Sequence, residues 1–149
     1  MRQINIVAPD FISQYWKKIE PFFEVSFKFS TDDYSIDQLK FLLVSGKQTC
    51  LVAVDETGDI IGASAVEISN YPNHRVLHIT SMGGKALVEP DLIEQFEAWA
   101  RSQGVTKIRA FAQDAQARLY KMKMGFNSVA HVVEKNICNY LIYLTGYKT

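Results

Sequence analysis

The sequence has 149 residues, of which 48% are apolar, and its 16 basic and 16 acidic side chains give a formal net charge of zero. The length predicts a single domain over residues 1–149, and the apolar fraction excludes a disordered chain. No apolar run approaches the roughly 18 residues of a membrane span, and the charge balance argues against a dedicated nucleic-acid binder. We therefore expect a globular protein with neither a membrane nor a nucleic acid as its partner.

The cysteines and the first residues bear on the compartment and on metal binding. Cys50 and Cys138 lie far apart and are interpreted as two reduced thiols of a cytoplasmic protein. No Cys/His cluster has the spacing of metal ligands, so no metal is expected. Residues 1–9 lack the basic stretch and the apolar core of a signal peptide, which favours the same compartment.

The first third of the chain predicts one strand and two helices. Apolar residues over 3–8 predict the strand. Asp10 is a favourable N-cap for the first helix, which Pro21 should kink or restart. The second helix is predicted to begin near Ser35 and to end at Gly46, because serine and glycine are common at these two boundaries.

The rest of the chain alternates strand-like and helical patterns. Strands are predicted over residues 49–54, 60–68, 76–82, 107–112, 128–133 and 140–144, and helices over residues 90–104 and 115–124. One strand–helix–strand crossover, from 76–82 to 107–112, predicts a parallel pair. The order predicts a mixed α/β (α+β) fold with one central, largely antiparallel twisted sheet of six to seven strands, flanked by four helices.

Three segments carry a resemblance to a known family. They are the hairpin over residues 51–63, the helix that ends in Phe-Glu-Ala-Trp-Ala-Arg-Ser-Gln-Gly at 96–104, and Asp-Ala-Gln-Ala-Arg-Leu-Tyr-Lys-Met-Lys-Met-Gly-Phe at 114–126. The last resembles the Asn-x-x-Ala-x-x-Leu-Tyr-x-x-x-Gly-Phe helix of the GNAT superfamily of acyl-CoA-dependent N-acyltransferases. With Gly-Gly-Lys at 83–85, the chain is also similar to small GNAT-like proteins of tailed phages.

This resemblance implies an enzyme that transfers an acetyl group from acetyl-CoA to an amine acceptor. In the family, backbone N–H groups at a helix N-terminus hold the pyrophosphate, and a splayed strand holds the pantetheine arm. The residues expected to contact acetyl-CoA are Ile79, Thr80, Ser81 and Met82 at the pantetheine, Gly83, Gly84 and Lys85 at the pyrophosphate, and Lys121, which stands at the tyrosine position of the family motif.

The resemblance also implies an acid and a base. Glu67 or His78 would take a proton from the acceptor amine, and Tyr120 would protonate the leaving thiolate. Lys121 could do so instead only if it faces the cleft, and it is otherwise a surface lysine. Each residue has a plainer explanation as well. Tyr120 shares a helix face with Ala117 and Met124 and would then belong to the core, His78 would be a structural strand residue, and Glu67 would be solvated.

The sequence departs from the family pattern just before the third helix. The expected Gly-x-Gly positions fall near Leu87 and Glu89, so Gly83 and Gly84 form either a phosphate-binding loop or only a turn. Glu89 and Asp91 would both lie at the start of the helix, where a carboxylate interacts favourably with the helix dipole. Carboxylates in that place would repel a pyrophosphate.

These departures leave a second hypothesis open. The chain would be a catalytically degenerate GNAT scaffold that acts in phage virion structure or assembly, or that binds another protein. Its partner would be a protein, in the phage case a component of the particle, and it would occur in the host cytoplasm or in the virion. An exposed apolar patch would form the partner site. The candidate residues for this patch are Phe22, Phe23, Phe27 and Phe29.

Overall fold

The computed structural model describes residues 2–28, 33–85 and 89–137. In chain order the elements are β1 (Gln3–Val7), a 3-10 turn (Pro9–Phe11), α1 (Ile12–Phe27), α2 (Ile36–Val44), β2 (Thr49–Val54), β3 (Ile60–Asn70), β4 (Arg75–Gly84), α3 (Pro90–Ser102), β5 (Lys107–Ala110) and α4 (Asp114–Met124). The strands form one sheet in the order β1-β2-β3-β4-β5. The first three pairings are antiparallel, and β4 pairs with β5 in parallel.

The expected mixed α/β fold with four helices is confirmed, but the number of strands is not. The described residues form five strands rather than six to seven. Residues 128–133, predicted as a strand, have an irregular backbone and are exposed. A β-rich segment needs a pairing partner and an apolar face to cover, and propensity alone does not make it a strand. The strand predicted at 140–144 lies outside the described residues.

Helix α1 runs without a break from Ile12 to Phe27, through Pro21, so the predicted restart of the helix at this residue is wrong. Phe11 rather than Asp10 occupies the N-cap position, because the chain first makes the 3-10 turn. A proline inside a helix costs about 3 kcal/mol, whereas burial of one large apolar side chain contributes about 1.5–3 kcal/mol. The side chains that α1 buries on both sides of the proline are Ile12, Trp16, Ile19 and Phe23.

The predicted start of α2 is confirmed. Ser35 is the N-cap, and its hydroxyl accepts a hydrogen bond from the backbone N–H of Gln38 at 3.3 Å. The Gln38 side chain in turn accepts from the backbone N–H of Ser35 at 2.8 Å. This reciprocal arrangement is a capping box, in which two otherwise unpaired N–H groups are satisfied at the helix start.

The sheet separates two apolar clusters, one on each of its faces. We call the side that α1 and α2 cover the α1 face, and its buried residues are Ile12, Trp16, Ile19, Phe23, Leu39, Leu43, Cys50, Val52, Ala63 and Ala65. The opposite side, beneath α3, is the α3 face, and its buried residues are Leu51, Val66, Leu77, Ile79, Phe96 and Ala100. Successive side chains of a pleated strand point to opposite faces of the sheet, so neighbouring strand residues pack into different clusters.

The phenylalanines of the second hypothesis do not form the proposed exposed patch. Phe23 is fully buried in the α1-face cluster. Phe22 and Phe27 are half-buried and pack against the same cluster. Phe29 lies outside the described residues. The patch is therefore wrong for the members that the structure describes, because α1 turns them toward the sheet.

Cys50 is expected to react with thiol reagents only when the protein unfolds. Its side chain is 1% exposed on the α1 face, and burial raises the pKa of the thiol to about 12. The reactive thiolate is therefore scarce in the folded state at pH 8. In a Cys138→Ser background, we expect labelling to be at least 100-fold slower in buffer than in denaturant, on the order of what buried sites show. Comparable rates in both would contradict the buried position of Cys50.

Candidate active site

The pairing of β4 with β5 ends halfway along β4. The two strands pair from Val76 to Ile79, whereas on its other side β4 stays paired with β3 as far as Gly84. Within the described part of the chain, no strand pairs with residues 80–84 on the β5 side. Backbone groups of a strand are obligatory hydrogen-bonding groups. We call this stretch the open edge of β4. No strand of the described residues pairs with its outward backbone groups, although the Met82 N–H donates to the Ser26 hydroxyl of α1 at 3.4 Å.

A β-bulge lies where the open edge begins. Ala65 pairs with Ser81 and Val66 pairs with Ile79, so Thr80 is an extra residue on β4. The Thr80 hydroxyl lies 3.0 Å from the carbonyl oxygen of Ala65 and 2.6 Å from a side-chain oxygen of the buried Gln48. Because a bulge bends its strand and increases the local twist, it helps β4 to diverge from β5 at this point.

The end of β4 packs closely against α1. A Cβ atom on Gly83 would overlap the backbone carbonyl of Phe22. Gly84 has a φ of +70°, and a Cβ there would lie 2.5 Å from the carbonyl oxygen of Ile61. One turn further along α1, the Ser26 hydroxyl lies 3.4 Å from the backbone nitrogen of Met82. The two glycines are thus required by the fold, which is a sufficient structural reason for the Gly-Gly pair.

The side chains expected at the cofactor differ in where they lie: some pack into the α3-face cluster, one is buried, and the two lysines are exposed. Ile79 and Met82 direct their side chains into the α3-face cluster. Ile79 is still paired with Ala110 of β5, so of these two residues only Met82 contributes backbone to the open edge. Ser81 is buried. Lys85 is exposed and donates its backbone N–H to Ile61 at 2.9 Å, which leaves its ammonium group free to approach an anion. Lys121 is also exposed, on α4.

The two carboxylates at the start of α3 are held by an arginine that immediately precedes β1. Arg2 lies 3.0 Å from the Asp91 carboxylate and 3.5 Å from that of Glu89. Gln95, one turn further along α3, accepts from the backbone N–H of Ile4 at 2.9 Å and donates to the backbone carbonyl of Arg2 at 3.0 Å. The negative charge that would repel a pyrophosphate is therefore partly neutralised by Arg2.

Replacement of Arg2 by Gln should destabilise the protein only modestly. The paired side chains are about one-third exposed, and such pairs contribute about 0.2–1 kcal/mol. We expect a fall in Tm of about 1–4 °C at low salt. The fall should shrink in 1 M NaCl, because salt screens exposed charges. An equal fall at both salt concentrations would show that the Arg2 side chain acts by packing rather than by charge.

Polar residues form a row across β3, β4 and β5. Glu67 is the direct cross-strand partner of His78, and His78 is in register with Arg109. Glu67 lies two residues after Ala65, which belongs to the α1-face cluster, so the row is on the α1 face. Sequence reasoning singled out Glu67 and His78 separately, and the structure places them side by side. This group of three is called the polar row below.

A tyrosine from the β3–β4 turn joins this row. The Tyr71 hydroxyl lies 3.4 Å from Nε2 of His78, with the two rings edge to face. The Arg109 guanidinium lies 5.8 Å from the centre of the Tyr71 ring. Tyr71 and Arg109 were not predicted as site residues. The alternation of charged Lys107 and Arg109 along β5 was the available signal, but only the strand register connects it to His78.

Tyr120 lies in a different environment. Its ring stacks on Phe126 with the centroids 5.3 Å apart, and Phe126 packs against the α3-face cluster. Burial raises the pKa of the phenol, so the hydroxyl stays protonated at neutral pH. Among the described residues, no hydrogen bond joins Tyr120 to Glu67 or His78. The polar row lies on the opposite face of the sheet from Phe126. The Tyr120 phenol can donate a proton, and none of its contacts among the described residues is with a group that would accept it.

The described residues contain no group of three or more His, Cys, Asp or Glu side chains that could hold a metal ion. None of the helices in the described ranges is both long and apolar enough to cross a membrane.

A groove of about 840 Å³ lies along α1, between this helix, β1 and the β2–β3 turn. Its lining includes Val7, Phe11, Tyr15 and Val54. Among the residues next to the open edge of β4, only Phe22 lines it. The groove is therefore separate from both the open edge and the polar row.

Comparison with known proteins gives a structural likeness without a sequence match. No protein-family model matches the chain, and no curated protein matches it. A predicted acetyltransferase from Clostridium acetobutylicum, solved with acetyl-CoA, has a TM-score of 0.63 at 17% identity, over 91% of this chain and 96% of that one. An aminoglycoside acetyltransferase from an uncultured soil metagenomic sample, solved with sisomicin, has a TM-score of 0.64 at 14% identity, over 91% and 97%.

A third structurally similar protein has a different kind of acceptor in its name. A ribosomal-protein-alanine N-acetyltransferase from Brucella melitensis has a TM-score of 0.60 at 13% identity, over 92% of this chain and 98% of that chain. At these identities the likeness concerns the fold alone. The mixed sheet, the four helices and these neighbours together show that the chain has the GNAT fold.

Proposed function

We propose that the protein is an N-acetyltransferase that transfers an acetyl group from acetyl-CoA to an amine. The observation that carries the proposal is the open edge of β4 from Thr80 to Gly84. Backbone N–H and C=O groups that pair with no described strand match the amide groups of a pantetheine arm, and the long Met82–Ser26 hydrogen bond is one that a ligand would replace. A solved neighbour with the same fold was crystallised with acetyl-CoA.

The described residues around the open edge fit acetyl-CoA. The pantetheine amides would pair with the backbone of residues 80–84, as a peptide pairs with a sheet edge. The exposed Lys85 and the start of α3, where Arg2 holds the two carboxylates, would face the phosphates. Loop residues 86–88 lie outside the described part of the chain. A free buried Cys50 also fits a reducing cytoplasm.

Bound acetyl-CoA supplies an activated acyl thioester, and the chain supplies proton transfer. Glu67 or His78 would accept a proton from the acceptor amine as its nitrogen forms a bond to the acyl carbon. The bond from that carbon to sulfur then breaks, and the Tyr120 hydroxyl would give its proton to the thiolate. A phenol with a raised pKa is a neutral donor at pH 7, which suits Tyr120 to this role.

The proposal is tested by measuring the release of CoA thiol from acetyl-CoA in the presence of a panel of primary amines. We expect thiol release that depends on the amine and equals the acetylated product found by mass spectrometry. Heat-denatured protein provides the blank for spontaneous hydrolysis. Thiol release no faster than this blank with every amine would refute the proposal.

A further inference from the structure

The polar row carries opposite charges on the two sides of one imidazole. Glu67 lies on the strand to one side of His78 and Arg109 on the strand to the other. Neighbouring strands are about 4.8 Å apart, so the Cα atoms of the two charged residues are separated by about 10 Å. Within the ranges that the structure describes, neither Glu67 nor Arg109 takes part in an ion pair, and both are exposed.

Tyr71 ties the arginine to the histidine. The Tyr71 backbone N–H donates to the carbonyl of His74 at 2.8 Å, which closes the turn between β3 and β4. The Arg109 guanidinium lies over the Tyr71 ring, 5.8 Å from its centroid, in a cation–π contact. The Tyr71 hydroxyl reaches His78. Tyr71 thus contacts both the guanidinium and the imidazole, and none of the described residues accepts a hydrogen bond from the Arg109 N–H groups.

The polar row lies close to the place proposed for the reaction. His78 precedes Thr80, the first residue of the open edge, by two positions. Two residues of strand span about 6.6 Å. A small molecule whose amine lies at Glu67 and His78 can therefore reach a thioester on the open edge while another part of the molecule contacts Arg109.

We propose that the acceptor is a zwitterion, an amine that also carries a carboxylate, as in an amino acid or a short peptide. The inference rests on the proposed acetyltransferase function and deepens it. Glu67 and His78 face the amine, and Arg109 pairs with the carboxylate through two parallel N–H···O hydrogen bonds. A polycationic acceptor has no group for Arg109 and is repelled by its charge.

The test is steady-state kinetics on matched acceptors, an amino acid and its decarboxylated amine, with the wild type and Arg109→Met. A hydrogen-bonded charge pair is worth about 1.5–3 kcal/mol, or about 10–150-fold. We expect Arg109→Met to raise KM for the amino acid by that factor, to change kcat by less than about threefold, and to leave KM for the decarboxylated amine unchanged. Arg109→Lys should recover part of the loss, because it keeps the charge without the planar pair of donors.

Lys107→Met is the matched control, because Lys107 is exposed on the same strand and the same face, two residues from Arg109. It should leave both KM values unchanged. An equal rise in KM for both acceptors with Arg109→Met, or a wild type that prefers the decarboxylated amine, would overturn the zwitterion assignment while acetyl transfer stands. No thiol release by the wild type with any amine would overturn the proposed function and this inference with it.

Discussion

Tyr120→Phe is expected to lower kcat by about 10²–10⁴-fold, the range that a positioned acid contributes. The substitution removes only the hydroxyl and keeps the ring that stacks on Phe126. The free energy of unfolding should therefore change by less than about 1 kcal/mol. KM for acetyl-CoA should change little, because the proton is needed at the leaving thiolate and not for binding.

Lys121→Met tests whether Lys121 rather than Tyr120 is the acid that protonates the leaving thiolate. Lys121 is exposed, whereas Tyr120 is half-buried, so we expect the lysine variant to retain kcat within about threefold. If Tyr120→Phe is unchanged in kcat, Tyr120 is not the acid. If Lys121→Met is the inactive variant, the acid is one position further along α4 than proposed.

The pH profile gives a second signature of Tyr120. Burial raises the pKa of the phenol above its ordinary value near 10. An acid must be protonated to act, so its contribution is complete below that pKa and is lost as the pH rises through it. We expect any fall in kcat that belongs to Tyr120 to occur above about pH 10, and to be absent in Tyr120→Phe.

Gly83→Ala is expected to lower Tm by about 6–12 °C. Its Cβ would overlap the Phe22 carbonyl, a backbone atom that cannot move without α1. Overpacking costs about 1–3 kcal/mol, and the rigid Phe22 backbone places Gly83→Ala at the upper end, about 3 kcal/mol. For a chain of this size each kcal/mol is about 2–4 °C. The measurement is thermal unfolding followed by circular dichroism.

Gly58→Ala is the matched control for this effect. Gly58 has a φ of +88°, but nothing lies within 4 Å of its added Cβ. Gly58→Ala should therefore lower the free energy of unfolding by about 1–2 kcal/mol through backbone strain, without a steric clash. If Gly83→Ala costs no more than Gly58→Ala, the close approach of β4 and α1 is wrong, and with it the structural reason for Gly83.

Local patterns predicted the elements that form the scaffold. The strand expected at 49–54 matches β2, and the helix expected from Pro90 matches the start of α3. Both signals are short in range, because residue alternation and helix capping depend on neighbours in the chain. The restart expected at Pro21 failed because the buried face of α1, a tertiary effect, outweighs the local cost of proline.

The candidate site depends on contacts between distant parts of the chain. Glu67 and His78 could be named from residue type and strand period, but their pairing comes from the β3–β4 register. The Arg2–Asp91 contact joins residues 89 positions apart, and no local pattern predicts it. The same holds for Arg109, which joins the polar row only through the parallel β4–β5 pairing.

The Arg2 contact changes how the departures from the family motif are interpreted. Acidic residues at the start of α3 argued for a scaffold without cofactor binding. With Arg2 within 3.5 Å of both carboxylates, this end of the helix no longer carries two uncompensated negative charges. The exposed phenylalanine patch that the scaffold hypothesis required is also not formed by the described members, since Phe23 is buried.

The central claim, that the open edge of β4 binds acetyl-CoA, is tested most directly by thermal unfolding with acetyl-CoA, with free CoA, and with pyrophosphate at matched ionic strength. A ligand at about 100 times its Kd stabilises a protein by about 2.7 kcal/mol, which is about 5–11 °C for this chain. We predict such a rise with acetyl-CoA and CoA, and a much smaller one with pyrophosphate. No rise at millimolar acetyl-CoA, or an equal rise with pyrophosphate, would contradict the claim.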